Sequence, residues 1–223
     1  MILIKKDENM KKAIIFDLDG TLVNTAKGIV EALSITIEEL SGKSIDNEDI
    51  RKTIGIPLLQ AIALLMDKSE TDPIVLEAKE KYLNKFKKIV LPKSKELIFS
   101  GVTETLSTLK EQGFLLSVAT NKLHKSALEL LAATDLLFYF DHVFGVDSVE
   151  NAKPSPDMCL LAMQKMGSLP ENTLMIGDTT HDIKAARNAN IKTIAVTYGI
   201  HNKETLEKEQ PYKIINSFSD ILK

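Results

Sequence analysis

The chain of 223 residues contains a single cysteine, Cys159, so no internal disulfide can form and a reducing compartment fits best. It has no apolar run approaching the roughly 20 residues that a membrane helix requires. It has no excess of basic residues either. With 28 Lys and Arg against 31 Asp and Glu the net charge is −3, which argues against the clustered positive face of a nucleic-acid-binding protein. Met1-Ile2-Leu3-Ile4 followed by Lys5-Lys6 has the wrong order, and too little length, for a secretory signal. Internal repeats and low-complexity stretches are also missing. What remains is 44% hydrophobic and 26% charged, an ordinary globular composition in a chain long enough for a substantial core. A soluble, cytoplasmic protein is expected, neither nucleic-acid-binding nor membrane-bound, and either a monomer or a weak homodimer.

Two textures alternate along the chain. Short runs rich in Ile, Val, Leu or Phe read as buried strands: Ala13 to Phe16, Phe114 to Ala119, His142 to Val146, Leu174 to Gly177 and Thr193 to Val196. Between them, apolar residues recur with helical spacing over Val102 to Gln112, Lys125 to Ala133, Pro156 to Met166 and Asp182 to Ala189. Gly113 and Gly167 stand where helix ends favour a left-handed residue, and Ser155 before Pro156 reads as an N-cap. Strands and helices in this alternation predict an α/β fold, a Rossmann-like parallel sheet of five strands with helices on both faces.

From Asn24 to about Phe99 the texture is helical only. Ile29, Leu33, Ile37 and Leu40 form one stripe closed by Gly42; further helices run from about Asn47 to Ile54, from Pro57 to Met66, and from Asp72-Pro73 towards Val90. Its charges balance, with 12 basic and 12 acidic residues. The economical organisation is an α/β core of residues 1–24 and 99–223 with an all-helical domain, residues 25–98, inserted after the first strand.

The candidate chemistry sits at strand ends. The first strand ends in Asp17-Leu18-Asp19-Gly20-Thr21, placing two carboxylates where α/β sheets bind ligands. Alone, this pentapeptide also reads as an Asp-Gly turn with solvated carboxylates. The fourth strand delivers a second acidic pair, in Gly177-Asp178-Thr179-Thr180-His181-Asp182. Four aspartates meeting at one sheet edge repel unless a cation neutralises them, and all-oxygen ligation points to Mg²⁺ rather than zinc. Asp182 can also serve as a helix N-cap or first-turn acid. Thr120-Asn121-Lys122 after the second strand, and Lys153-Pro154-Ser155-Pro156 before a helix, suit an anionic substrate.

These four segments, in this order, resemble the motifs of the haloacid dehalogenase superfamily of phosphohydrolases, from Met10 onward. The chain is most similar to the branch of phosphoglycolate phosphatase and β-phosphoglucomutase, and the helical insertion looks like that family's cap. The resemblance implies Asp17 as a nucleophile forming an aspartyl-phosphate, and Asp19 as the acid and base for leaving oxygen and water. It implies phosphoryl binding by Thr120, Asn121 and Lys153. Mg²⁺ would be held by Asp17, Asp19 (through its backbone carbonyl) and Asp178, with Asp182 supporting or ligating it. Asp19 favours phosphoryl transfer, because the dehalogenases lack an acid there. The substrate would be a small phosphorylated metabolite, with phosphoglycolate favoured and Arg51 meeting its carboxylate. A sugar-phosphate mutase, an inorganic pyrophosphatase and a non-enzymatic phosphate-binding module are the alternatives.

Three positions depart from the family pattern: Asn24, Ser100 and Asn190, the last standing in for a glycine that follows a helix. His181 is read as polar packing at a helix start, His124 as a surface residue and Cys159 as a packed core thiol. Lys79, Lys81, Lys85, Lys87 and Lys88 are read as a solvated helix face.

Overall fold

The structure, a computed structural model, describes residues 11–223, so the Met1 to Lys6 segment discussed above lies outside the described residues. The strands are β1 (Ala13–Phe16), β2 (Leu115–Ala119), β3 (His142–Phe144), β4 (Thr173–Gly177), β5 (Lys192–Val196) and β6 (Lys213–Ile215). The helices are α1 (Ala26–Ser41), α2 (Asn47–Lys52), α3 (Leu58–Met66), α4 (Pro73–Val90), α5 (Val102–Glu111), α6 (His124–Ala133), α7 (Asp157–Met166), α8 (Thr180–Asn188) and α9 (Lys203–Glu207).

Among the described residues the sheet has six strands in the order β3-β2-β1-β4-β5-β6, every neighbouring pair parallel. The expected α/β class holds, with one strand more than the sequence pattern showed. β6 has only three residues and lies at the edge with Lys213 exposed, so it carries no period-two signature.

β1 is central and wholly buried, and its side chains divide between two layers. Ile14 and Phe16 join a cluster with Leu106 and Leu109 of α5 and Leu130 of α6. Ala13 and Ile15 join Met158, Cys159 and Ala162 of α7 and Ala185 of α8 on the other face. This alternation follows from the two-residue period of a strand, and each large aliphatic side chain buried this way contributes about 1.5–3 kcal/mol. Cys159 is a core thiol whose burial pushes its pKa up to about 12.

Helices α1 to α4 occupy the interval between β1 and α5, and no strand is found there among the described residues. Local signals set their ends. The Asp72 carboxylate accepts the Ile74 N–H at 3.0 Å, opening α4 with Pro73 in its first turn. After Val90 the chain tightens into a 3₁₀ segment, Leu91–Leu97, which the sequence pattern did not show. The outgoing and returning strands of chain lie side by side: Asn24 N–H donates to Leu97 O at 2.7 Å and Phe99 N–H to Leu22 O at 3.1 Å. Lys85 pairs with Glu39 and Lys87 with Glu129, as surface lysines on α4.

Two boundary readings change. Helix α7 begins after Pro156, and the Ser155 hydroxyl is spent on the Asp157 carboxylate rather than on an N-cap bond. Helix α8 begins two residues before Asp182, which makes Asp182 the reciprocal partner of Thr179 in a capping box. Asn190, just past α8, takes the left-handed conformation with φ 57°. No helix among the described residues is long and apolar enough to cross a membrane.

Candidate active site

Strand order reverses around β1: the chain goes to β2 and β3 on one side and then to β4 on the other. The crevice outside the carboxyl ends of these strands is where such sheets bind ligands. Asp17 follows β1, Thr120 follows β2 and Asp178 follows β4. Asp17 is tied to the sheet edge by its N–H, which donates to Ile176 O at 2.9 Å. Carboxylate oxygens of Asp17, Asp178 and Asp182, all buried, come within 4.8 Å of one another.

One ammonium stands among these acids. Lys153 Nζ donates to Asp17 Oδ1 at 2.9 Å, to Asp182 Oδ1 at 2.6 Å and to Ala119 O at 2.8 Å. Burial works against the lysine's charge, yet Asp17 and Asp182 hold its pKa above the ordinary value. Burial pushes the Asp17 pKa up to about 7 although Lys153 opposes it, and burial also raises Asp178 well above the ordinary carboxylate value, with Asp17 adding to the effect. For Asp182 burial also acts upward, but Lys153 and Thr179 outweigh it and leave the pKa below 3.8. Three buried carboxylates against one ammonium leave an excess of negative charge in a set of oxygen donors. That donor chemistry fits a hard divalent cation such as Mg²⁺.

The members of the cluster differ in what they have left to give. Asp182 is fully engaged: Oδ1 takes Lys153, while Oδ2 accepts Thr179 N–H at 2.9 Å and Thr179 Oγ1 at 2.7 Å. Asp178 accepts Thr21 Oγ1 at 2.7 Å and Ile200 N–H at 2.7 Å. Glycines make room for it. A Cβ on either Gly20 or Gly199 would stand 2.3 Å from Asp178 Oδ2, and Gly20 also needs its φ of +89°.

Asp19 does not join the cluster through its carboxylate. The chain turns after β1, and Asp19 accepts Thr25 Oγ1 at 2.6 Å and Lys122 Nζ at 3.1 Å. Its expected place among metal ligands can therefore be filled only by its main-chain carbonyl. Among the described residues nothing donates to that oxygen. Lys122 is itself seated 4.1 Å from the centre of the Phe86 ring, on α4. Nearby Tyr82 is buried, and burial together with Asp19 raises its hydroxyl pKa.

Thr120 lines the cavity above Asp17, and its hydroxyl oxygen accepts Lys122 N–H at 3.2 Å, leaving the O–H free to donate. The Asn121 side chain is not free for an anion. Its Nδ2 donates to Gly55 O at 2.8 Å and to Lys153 O at 3.0 Å, while Oδ1 accepts Lys153 N–H at 3.0 Å. It fastens the Gly55 loop and the Lys153 segment to β2, so only its main-chain N–H remains for a phosphoryl oxygen. Arg51 lies elsewhere. Its guanidinium reaches Gly199 O at 3.5 Å and borders a groove with Lys27, Glu31 and Glu48, outside the cavity that contains Asp17.

His181 packs against the Gly55 loop at the start of α8, with its pKa lowered by burial and no partner for Nδ1 among the described residues. His124 is half-buried at the start of α6, with its Nδ1 shielded and without a partner among the described residues. Sequence reasoning missed Thr25, Tyr82 and Gly199. Thr25 and Tyr82 sit in helical pattern with no motif around them, and Gly199 reaches Asp178 from the loop beyond β5. Tyr198 was missed too: its hydroxyl donates to Thr21 O at 3.0 Å.

Comparison with known proteins agrees with this geometry. The sequence pattern described as haloacid dehalogenase-like hydrolase matches residues 14–196. "Probable phosphatase IndB" of Dickeya dadantii is 44% identical over 96% of this chain and 93% of its own length. "Pyrophosphatase PpaX" of Halalkalibacterium halodurans is 34% identical over 94% of each. The crystal structure of a predicted phosphoglycolate phosphatase from Haemophilus somnus superposes with a TM-score of 0.85 at 28% identity, covering 95% of this chain and 96% of that one. With three acids and one lysine gathered at the reversal point of its sheet, and a family pattern running through most of its length, the chain belongs to the haloacid dehalogenase-like hydrolases.

Proposed function

We propose that this protein is a cytoplasmic, Mg²⁺-dependent phosphatase that hydrolyses a small phosphomonoester through an aspartyl-phosphate on Asp17. The observation that carries the reading is the position of Lys153 Nζ, 2.9 Å from Asp17 Oδ1 and 2.6 Å from Asp182 Oδ1 beneath an open cavity. A carboxylate attacks a phosphate dianion poorly unless nearby charge is neutralised. Asp17, Asp178 and the Asp19 carbonyl would hold Mg²⁺, with Asp182 supporting them through Lys153 and Thr179. When bound, the ion offsets the negative charge shared by the attacking carboxylate and the phosphoryl oxygens.

The remaining steps belong to the chain's own groups. An Asp17 carboxylate oxygen bonds to phosphorus as the ester P–O bond breaks, and Asp19 gives its proton to the leaving oxygen. Thr120 O–H, Asn121 N–H and Lys153 hold the phosphoryl oxygens. Asp19 then takes a proton from the water that attacks phosphorus, releasing phosphate and free Asp17. Residues 25–98 act as a cap that excludes bulk water during the first step, hinged where Asn24 and Phe99 cross.

Phosphoglycolate, favoured by the likeness to the Haemophilus somnus protein, loses its residue-level support, because Arg51 does not border the cavity. Inorganic pyrophosphate is a second reading, favoured by the relative of that name. Phosphate release from p-nitrophenyl phosphate, with and without Mg²⁺, tests the assignment. Activity should need the ion, and Asp17→Asn should abolish it while leaving the circular dichroism spectrum unchanged. Trapping a phosphoryl group on the Asp17 peptide by acid quench and mass spectrometry separates covalent catalysis from direct attack by water.

A further inference from the structure

The cavity above Asp17 is polar at its floor and apolar along its outer wall. That wall is contributed by the helical block: Ile29 and Leu33 of α1, Ile54 and Leu58 around the Gly55 loop, and Leu83 and Phe86 of α4. Among the described residues, no lysine or arginine lines the cavity except Lys122 and Lys153. Both are spoken for. Lys153, between Asp17 and Asp182, is assigned to the transferred phosphoryl group, and Lys122 is paired with Asp19 at 3.1 Å and seated over Phe86. The Thr53 hydroxyl, also on the wall, donates to Ile50 O at 2.7 Å. Among the described residues lining the cavity, the Tyr82 hydroxyl on this wall and the Ser126 hydroxyl of α6 beyond it make no hydrogen bond to any described residue.

A second anion on the substrate, whether a carboxylate or another phosphate, would have to leave water at this wall without a free cation to receive it. A buried charge without a partner is strongly disfavoured, whereas an apolar group gains by the same transfer. We infer that the substrate is the phosphate monoester of an uncharged, largely apolar alcohol, whose body lies against the α1–α4 wall. The inference rests on the phosphatase reading and narrows it. The Tyr82 hydroxyl supplies one hydrogen bond to a hydroxyl or ether oxygen on that body.

Binding of non-hydrolysable phosphonates tests this without relying on turnover. Ethyl-, butyl- and hexylphosphonate, 3-phosphonopropionate and methylenediphosphonate are titrated into the Mg²⁺-loaded protein by calorimetry. The last two mimic phosphoglycolate and pyrophosphate. Affinity should rise at least about tenfold from ethyl to hexyl, given the gain expected per buried methylene. Hexylphosphonate should also bind more tightly than either analogue that carries a second anionic group. In Leu83→Lys, which places a cation on the wall, 3-phosphonopropionate should gain and hexylphosphonate should lose. An affinity independent of chain length, tighter binding of either analogue with a second anionic group by the unmodified protein, or no binding of any probe overturns the inference. Should Leu83→Lys not fold, the unmodified series decides alone. Turnover of p-nitrophenyl phosphate in parallel reports on the phosphatase reading separately: its failure beside an intact chain-length series removes the reaction and leaves the apolar subsite.

Discussion

Lys153 Nζ lies 2.9 Å from Asp17 Oδ1, although the two residues are 136 positions apart in the chain. The contact joins the end of β1 to the segment before α7, and both side chains are almost wholly buried. A lysine is stable there because two carboxylates share it, and the carboxylates are tolerable because the lysine is present. Breaking such a set from one side leaves an uncompensated charge, which costs far more than the intact set contributes.

Lys153→Met should therefore destabilise the metal-free protein by about 3–5 kcal/mol at pH 8. At pH 5.5 the loss should be smaller, since Asp17, whose pKa is about 7, and Asp178, raised by burial, then carry protons. Urea unfolding at the two pH values measures the difference. Equal losses would mean that Lys153 contributes its packed methylenes rather than its charge.

Asp19→Asn removes the proposed acid from a position already paired with Thr25 and Lys122. For an alkyl phosphate the rate of Asp17 phosphorylation should fall by about 10²–10⁴-fold. An activated phenolate needs less protonation on leaving, so p-nitrophenyl phosphate should lose much less in a single turnover. Parallel losses for both esters would contradict the acid role.

Gly199→Ala puts a Cβ 2.3 Å from Asp178 Oδ2, in a loop where the backbone itself is not left-handed. The expected consequence is displacement of a proposed metal ligand rather than backbone strain. The Mg²⁺ concentration for half-maximal activity should rise tenfold or more, with a stability loss of about 1–3 kcal/mol from overpacking. A Mg²⁺ titration of activity beside a melting curve separates the two effects. Unchanged Mg²⁺ dependence would remove Asp178 from the proposed ligand set.

Mg²⁺ should raise the melting temperature more at pH 8 than at pH 5.5. Asp17 and Asp178 have raised pKa values in the folded state, so their stabilising contribution is present in acid and lost as pH climbs through those values, about 7 for Asp17. Above that range the ion meets free carboxylates, whereas below it the ion must displace protons. The depressed pKa of Asp182 puts its own loss of stability further into acid, outside this window. Calorimetric scans with and without Mg²⁺ at both pH values check this; a gain that does not depend on pH would count against binding at these acids.

The amino-acid sequence determined what short-range physics controls. Buried β-rich runs, 3.6-residue stripes, Gly42, Gly113 and Gly167 at left-handed helix ends, and Asp72-Pro73 at a helix start are each written within a few residues, because each depends on local backbone geometry. Asp17 and Asp178 were legible for the same reason: each ends a strand that its neighbours make recognisable. Only the tertiary structure decided where side chains point once the strands end. Asp17 and Asp19, two apart, would share a face on a regular strand, but the turn sends one to Lys153 and the other to Thr25 and Lys122. Neighbourhood in sequence marked Asn121 and Arg51 as substrate contacts, but it did not show that the Asn121 amide would be held by Gly55 and Lys153, leaving its main-chain N–H, or that the Arg51 guanidinium would reach Gly199 O outside the cavity. Periodicity records average burial along a segment. It carries no information about which distant oxygen a nitrogen will meet, and that pairing is settled only when the core packs and buried polar groups must all be satisfied.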